Sequence, residues 1–334
     1  MSQTESAGVV LVIGGAGYVG SHCCKAFAEA GWKVVVFDNL STGWEDFVRW
    51  GTLIRGDILN PADLAAAMDA VKPDAVAHFA AKAYVGESVT EPATYYRTNT
   101  VGAMNVLDAM RAAGVNKFVF SSTCATYGVP VRTPIDEQHP QAPINPYGQS
   151  KLMVEHILRD YSAAYDLSYV ALRYFNAAGA DAAGEVGERH EPETHVIPLA
   201  IRGAQQSDYV FTIFGDDFDT RDGTGLRDYI HVTDLADAHC RALTYLKAGG
   251  ESNIFNLGTG NGTTVSEIAD AVSAVSGRPL PRKVIGRRPG DPPALVASAA
   301  KARDVLGWVP QHSGIDNIIE TAWRWHERQH NFGR

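Results

Sequence analysis

Cysteine is scarce in this chain: four in 334 residues, at Cys23, Cys24, Cys124 and Cys240. No C-x-x-C pair occurs, so the sequence encodes neither a thiolate metal knot nor a disulfide scaffold. Adjacent Cys23 and Cys24 read as small apolar fillers of a helix. An excess of positive charge is also missing, with 29 Lys and Arg against 38 Asp and Glu and a net charge of −9. That excludes a nucleic-acid backbone as the main partner and leaves room only for a local cationic pocket. No apolar run approaches the roughly 18 residues of a membrane span. Residues 1–8 are polar, lack the basic-then-apolar plan of a secretory signal, and read as a flexible start. The eleven histidines show no metal-ligand spacing. In the acidic run 216–222, Arg221 occupies a would-be calcium ligand position and no glutamate closes the loop, so no metal is expected. At 45% hydrophobic and 20% charged residues, the composition is that of a reduced, soluble, cytoplasmic protein.

What the chain does carry is a cadence. The apolar runs 9–13, 32–37, 52–54, 75–79, 117–121 and 168–172 alternate with amphipathic stretches, including a long helix expected over 92–113 and another from Tyr147 to about Tyr165. Strand and helix in this order mean right-handed crossovers and a parallel sheet covered on both faces. The expected fold is a Rossmann-type, doubly wound α/β sheet with a smaller C-terminal α/β lobe. The expected division is a dinucleotide-binding lobe over 1–175 and a second lobe over 176–334, with some segments of the latter returning to the first. After Arg173 the pattern loosens into Gly-, Asp- and Glu-rich sequence, with short apolar runs at 196–201 and 210–214 and helices expected near 233–246, 265–276 and 315–328. Trp323 and Trp325 in the last of these read as packing residues.

Gly14-Gly15-Ala16-Gly17-Tyr18-Val19-Gly20 follows the first strand and opens the first helix, the context that makes a glycine turn a pyrophosphate site. Gly14 allows the tight turn, Gly17 the approach of the phosphates to a helix N-terminus, and Gly20 close packing of helix on sheet. Asp38 ends the second strand, where a carboxylate binds ribose hydroxyls and repels a 2′-phosphate, favouring NAD over NADP. Far downstream, Tyr147 and Lys151 stand four residues apart on one helix face. A phenol with a pKa near 10 becomes a usable base beside an ammonium and a cationic nicotinamide. Ser121-Ser122-Thr123, at the end of a strand, supplies a hydroxyl for the same substrate oxygen.

With these motifs in order, the chain resembles the extended short-chain dehydrogenases, and within them the UDP-glucose 4-epimerases, over nearly its full length. The resemblance is carried by residues 14–22, 37–40, 56–58, 78–81, 121–128, 145–151, 173–179, 222–237, 256–258 and 287–291. It implies interconversion of UDP-galactose and UDP-glucose through a 4-keto sugar, with hydride passing to tightly bound NAD and back. Tyr147 is the implied base, Thr123 the holder of the 4-oxygen, and Lys151 a partner of both Tyr147 and the nicotinamide ribose. Implied cofactor contacts are Gly14, Gly17, Tyr18, Val19, Gly20, Asp38, Asn39, Asp57, Ile58, Phe79, Ala80, Ala81, Tyr147, Lys151 and Tyr174. Implied UDP-sugar contacts are Thr123, Asn176, Phe214 toward the uracil, Arg227, Arg288 and Asp291; arginines suit a diphosphate through their planar fork. Their plainer reading is as surface ion pairs with Asp228 or Asp291.

Three positions depart from the family pattern. Ala83, with Lys82 beside it, stands where the family often has a cofactor-contacting lysine. His195 replaces an asparagine that touches the diphosphate in some members and is read as a substrate contact. Leu295 is of intermediate size where bulk gates N-acetylated sugars, so UDP-N-acetylglucosamine stays open, and UDP-xylose and UDP-arabinose stay open because the same machinery would serve them. Cys124 and Ala125 sit where a 4,6-dehydratase needs its acid pair, and a decarboxylase would also carry an acid at Cys124. A non-catalytic NAD-binding regulator is the reading from another class, and the tyrosine–lysine pair argues against it. Family analogy also implies a homodimer through the helices near 92–113 and 145–165.

Overall fold

Val9 to Ile13 extend because the run is apolar and β-branched, and in the computed structural model they form most of strand β1 (Gly8–Ile13). Residues 7–288 and 291–332 are described. Of the expected flexible start, residues 1–6 lie outside them, whereas the Ala7 N–H donates to Gly31 O at 3.1 Å and Gly8 pairs with Trp32. Pro289 and Gly290 of the downstream motif also lie outside. Strands β2 (Trp32–Asp38), β3 (Thr52–Arg55), β4 (Ala75–His78), β5 (Lys117–Thr123) and β6 (Ser168–Tyr174) join β1 and a seventh strand, Asn253–Leu257, in one parallel sheet. From one edge the order runs 253–257, β6, β5, β4, β1, β2, β3. The order reverses between β1 and β4, and the crevice at their carboxyl ends is where such sheets take ligands.

Alternate side chains of each strand feed two cores. Val10, Val12 and Val36 pack with Phe27 of α1 (Tyr18–Glu29) on one face. Leu11, Ile13, Phe118 and Phe120 pack on the other with Leu64 of α2 (Pro61–Val71). After the short α3 (Val85–Thr90), the long helix expected over 92–113 runs from Pro92 to Ala112 as α4 (Pro92–Tyr95), a wide π-turn (Tyr96–Val101) and α5 (Gly102–Ala112). Within the π-turn, buried Asn99 accepts from Lys82 N at 2.8 Å and donates to Lys82 O at 3.0 Å and to Ser150 Oγ at 2.9 Å. Three polar contacts made from inside a helical segment favour the widened turn over regular i to i−4 bonding. Helix α6 (Pro146–Tyr165) starts where Asn145 accepts from Gly148 N at 2.8 Å, with Pro146 at its first position.

Helix α7 (Val196–Gln205) packs with α9 (Val265–Ser276), the last helix (Ile315–Phe332) and the paired strands Phe211–Phe214 and Arg282–Ile285. Their core holds Ile197, Phe211, Val272, Ile319 and Trp323. Between α7 and α9 in the chain, α8 (Val232–Lys247) leaves this group and lies on α1, against the large sheet.

Candidate active site

The turn after β1 leaves no room for side chains. Gly14 has φ +82°, and a Cβ there would stand 2.4 Å from Ala80 N; one on Gly20 would stand 2.3 Å from Gly14 O. Gly17 caps α1 without any side-chain hydrogen bond, so the first N–H groups of that helix face the crevice unclaimed by a capping side chain. Asp38 closes β2 with its carboxylate accepting from Ala16 N at 3.0 Å and Leu40 N at 2.8 Å. Burial raises its pKa, and those two bonds draw it back down. This cradle of bare backbone, free N–H groups and a terminal carboxylate fits a dinucleotide.

Thr123 ends β5 and caps the short turn that follows, its Oγ1 accepting from Ala125 N at 3.1 Å. Helix α6 comes in so closely that a Cβ on Gly148 would lie 2.4 Å from Ala125 O. Tyr147, the preceding residue, lines the same cleft as Thr123; burial pushes its phenol well above the usual range, and the Thr123 hydroxyl offsets only part of that. One turn on, Lys151 is buried, donates to Ser121 O at 2.9 Å and sits 4.8 Å from the Phe120 ring centroid. Desolvation lowers its pKa to about 7, against the pull of Glu155. The Ser121 and Tyr174 hydroxyls bond each other at 2.8 Å, and burial pushes the Tyr174 phenol up to about 12.

A cleft of about 760 Å3 joins these parts. Its walls carry Gly14, Gly17, Tyr18, Val19, Gly20, Asp38, Asn39, Asp57, Ile58, Phe79, Ala80, Ala81, Tyr147 and Tyr174 from the expected cofactor set, and Thr123, Asn176, His195, Arg227, Asp291 and Leu295 from the expected substrate set. Lys151 lies beneath this lining. Phe214 and Arg288 stand apart from it but together, the guanidinium 3.7 Å from the ring centroid. Arg227 forms an ion pair with Asp291, as the plainer reading of the arginines allowed. Asp228 does not pair with them; its carboxylate accepts from Thr259, Gly260 and Ala297 N–H groups. Asn176 donates to Asp228 O at 2.9 Å. Leu295 stands opposite Arg227 in a short parallel pairing. Lys82 and Ala83 both line the cleft.

The sequence reading passed over one group. Glu188, His190 and His195 line the same cleft, and with Glu193 they bring four ligand atoms within 4.8 Å of one another. The inference of no metal-ligand set among the histidines is corrected to that extent. The signal available was the run Glu188-x-His190-x-x-Glu193-x-His195, which has no helical or strand period because it folds as a loop.

Fold and site together define a Rossmann-type enzyme with a cleft tyrosine over a buried lysine, of the short-chain dehydrogenase class. Residues 10–258 match the model of the NAD dependent epimerase/dehydratase family. A UDP-glucose 4-epimerase of Rhizobium leguminosarum bv. trifolii is 56% identical over 319 residues, covering 96% of this chain and 97% of that protein. The crystal structure of UDP-glucose 4-epimerase from Brucella ovis in complex with NAD superposes with a TM-score of 0.93 at 53% identity, covering 96% and 98%. That of the Bifidobacterium longum enzyme with NAD+ and UDP gives 0.91 at 36%, covering 97% and 99%. The chain therefore belongs to the NAD-dependent epimerase/dehydratase family, and its cofactor is NAD.

Proposed function

We propose that this chain is a UDP-glucose 4-epimerase, an isomerase that interconverts UDP-galactose and UDP-glucose. The observation that carries this reading is the convergence of Tyr147 and Thr123 on one cleft above buried Lys151, beside a cradle that fits NAD. NAD, when bound, accepts hydride from C4 of the sugar and returns it. Tyr147 takes the proton of the 4-hydroxyl and gives it back, while Thr123 Oγ1 holds the 4-oxygen. Burial alone would keep the phenol protonated, so we assign its activation to the two positive charges placed beside it, the Lys151 ammonium and the nicotinamide of bound NAD. After oxidation the 4-keto sugar turns in the cleft and is reduced on its other face, which requires UDP to be gripped and the hexose to be held loosely. Arg227, Arg288, Asn176, Asp291, His195 and Phe214 are the residues we assign to that grip, and Leu295 to the sugar side.

The partner of the site is thus a UDP-sugar. We further propose a homodimer, for which Val89, Val101, Met104 and Met153 offer exposed apolar surface on α3, the π-turn, α5 and α6. A cytoplasmic setting suits four unpaired cysteines. Among the described residues, no helix is long and apolar enough to cross a membrane.

The test is to incubate the purified protein with UDP-galactose, without added NAD, and measure UDP-glucose. Conversion is expected. Tyr147→Phe should lower turnover by about 100- to 10,000-fold while the copurified NAD stays bound. Retained turnover in that variant would remove Tyr147 as the base. If the parent converts UDP-arabinose or N-acetylated sugars but not UDP-galactose, the substrate assignment is wrong.

A further inference from the structure

The loop between the strand Asn176–Ala178 and α7 ends in the four residues that the proposed epimerase reaction does not need as a set. His195 Nδ1 stands 3.0 Å from Glu188 Oε1 and 2.8 Å from Glu193 Oε1. His190 Nδ1 stands 3.3 Å from Glu188 Oε1 and 3.5 Å from Glu193 Oε2. That His190 nitrogen is buried without a hydrogen bond. Four zinc–ligand bonds of 2.0–2.1 Å in a tetrahedron separate neighbouring ligand atoms by about 3.3–3.4 Å. The four histidine–carboxylate separations lie near that edge, those to Glu193 running to Oε1 from His195 and to Oε2 from His190, and one ligand atom from each of the four residues lies within 4.8 Å of the others.

The loop is also held in place by groups outside the cluster. Trp325 Nε1 donates to Glu188 O at 2.9 Å, and Trp44 Nε1 donates to Arg189 O at 3.0 Å. The N–H groups of Thr194 and His195 donate to Glu193 Oε1 at 2.7 and 2.8 Å, orienting that carboxylate. His190 lies edge-on to Tyr18 and Tyr84, with ring centroids 6.1 and 6.2 Å apart. Two imidazoles and two carboxylates on a fixed frame are a zinc-type donor set. Calcium and magnesium would call for six or more oxygens or for several waters.

We propose that Glu188, His190, Glu193 and His195 bind one divalent transition metal ion, zinc being the best fit, as a clasp on the cleft wall next to the nucleotide turn. Two carboxylates neutralise the ion. Each ring keeps its Nε2 free, so His195 can serve the metal and still face the substrate cleft. The site is independent of which sugar the enzyme takes. The rival occupant is protons alone, each imidazolium salt-bridged to the carboxylates.

The experiment uses the tag-free holoenzyme, stripped with a chelator and titrated with zinc against a chromophoric competitor. Binding is expected at one equivalent per chain, with a rise in Tm. Cobalt in place of zinc should give the visible absorption of a tetrahedral site. Glu193→Gln and His190→Gln should each weaken binding at least about 100-fold, since even an outer partner of a ligand is worth 10- to 100-fold. His156→Gln, exposed on α6, should leave binding unchanged. Absence of stoichiometric zinc binding by the parent, or equal binding by the parent and both cluster variants, would overturn the proposal. The variants' Tm values without metal show whether they fold.

Discussion

Lys151 is a charge placed where burial resists it. Its ammonium has one carbonyl and one aromatic face for company, and Glu155 one turn away opposes only part of the desolvation. The folded pKa is about 7, against about 10.4 in an unfolded chain. Below pH 7 both states hold the proton and the cost of burying the charge is fully present. Between 7 and 10.4 the unfolded chain binds more protons than the folded one, so stability rises with pH and the cost disappears. In cofactor-free protein, the Tm of Lys151→Met relative to the parent should therefore be most favourable to the variant at or below pH 7. That advantage should shrink steadily toward pH 10. A difference in Tm that is flat across this range would show that Lys151 is not depressed in the fold. The pairing of Tyr147 with Lys151 was legible in the sequence because an α-helix fixes what lies four residues on. The meeting of Glu188 with His195 was not, since a loop imposes no period.

Among the elements, the approach of α6 to the end of β5 decides the chemistry. Gly148 lets the helix touch Ala125 O, and the helix is tied to β5 and β6 by a buried network. Ser122 Oγ donates to Glu155 Oε1 at 2.6 Å, Arg173 Nε donates to the same oxygen at 2.9 Å, and Arg173 also donates to Tyr127 Oη at 2.7 Å. Tyr127 in turn donates to Asn256 Oδ1 at 2.7 Å, reaching the seventh strand. Either ion left alone there would cost about 3–5 kcal/mol, so the helix has little freedom to shift. Gly148→Ala forces such a shift, because its Cβ meets backbone. A displacement of about 1 Å between Tyr147 and Thr123 should cost about 100-fold in kcat, with NAD still bound. Turnover within a few-fold of the parent would mean that the contact is not what positions Tyr147. The strand–helix alternation, Asp38 at its strand end and Thr123 beside Tyr147 all followed from hydrophobic period and motif order. The π-turn at Tyr96–Val101 inside the expected helix did not. Its cause is the set of contacts that Asn99 makes with Lys82 and Ser150, which are distant in sequence and invisible to a local pattern.

At the scale of the whole molecule, function and folding divide the chain differently. We propose that the boundary near residue 175 separates the NAD side of the cleft from most of the UDP-sugar side, but not two independent folding units. The sheet face carrying Val10, Val12 and Val36 is covered by Leu235, Leu243 and Leu246 of α8, with Trp308 beyond it. The Trp308 indole donates to Asp234 O at 2.9 Å, fixing that helix from behind. The seventh strand pairs with β6 along five residues, and its Phe255 and Leu257 enter the same core. A chain ending at residue 175 would leave the α8-covered part of that sheet face bare, with α1 still on the rest, and β6 as an open edge, an arrangement prone to association. Such a fragment should bind a hydrophobic dye and lack a cooperative melt, whereas the full chain should unfold in one transition that UDP shifts upward as a whole. A fragment that melted cooperatively and retained NAD would show that the glycine turn and its sheet form a unit without α8. The C-terminal segments would then contribute the substrate grip but no part of the fold that holds the cofactor.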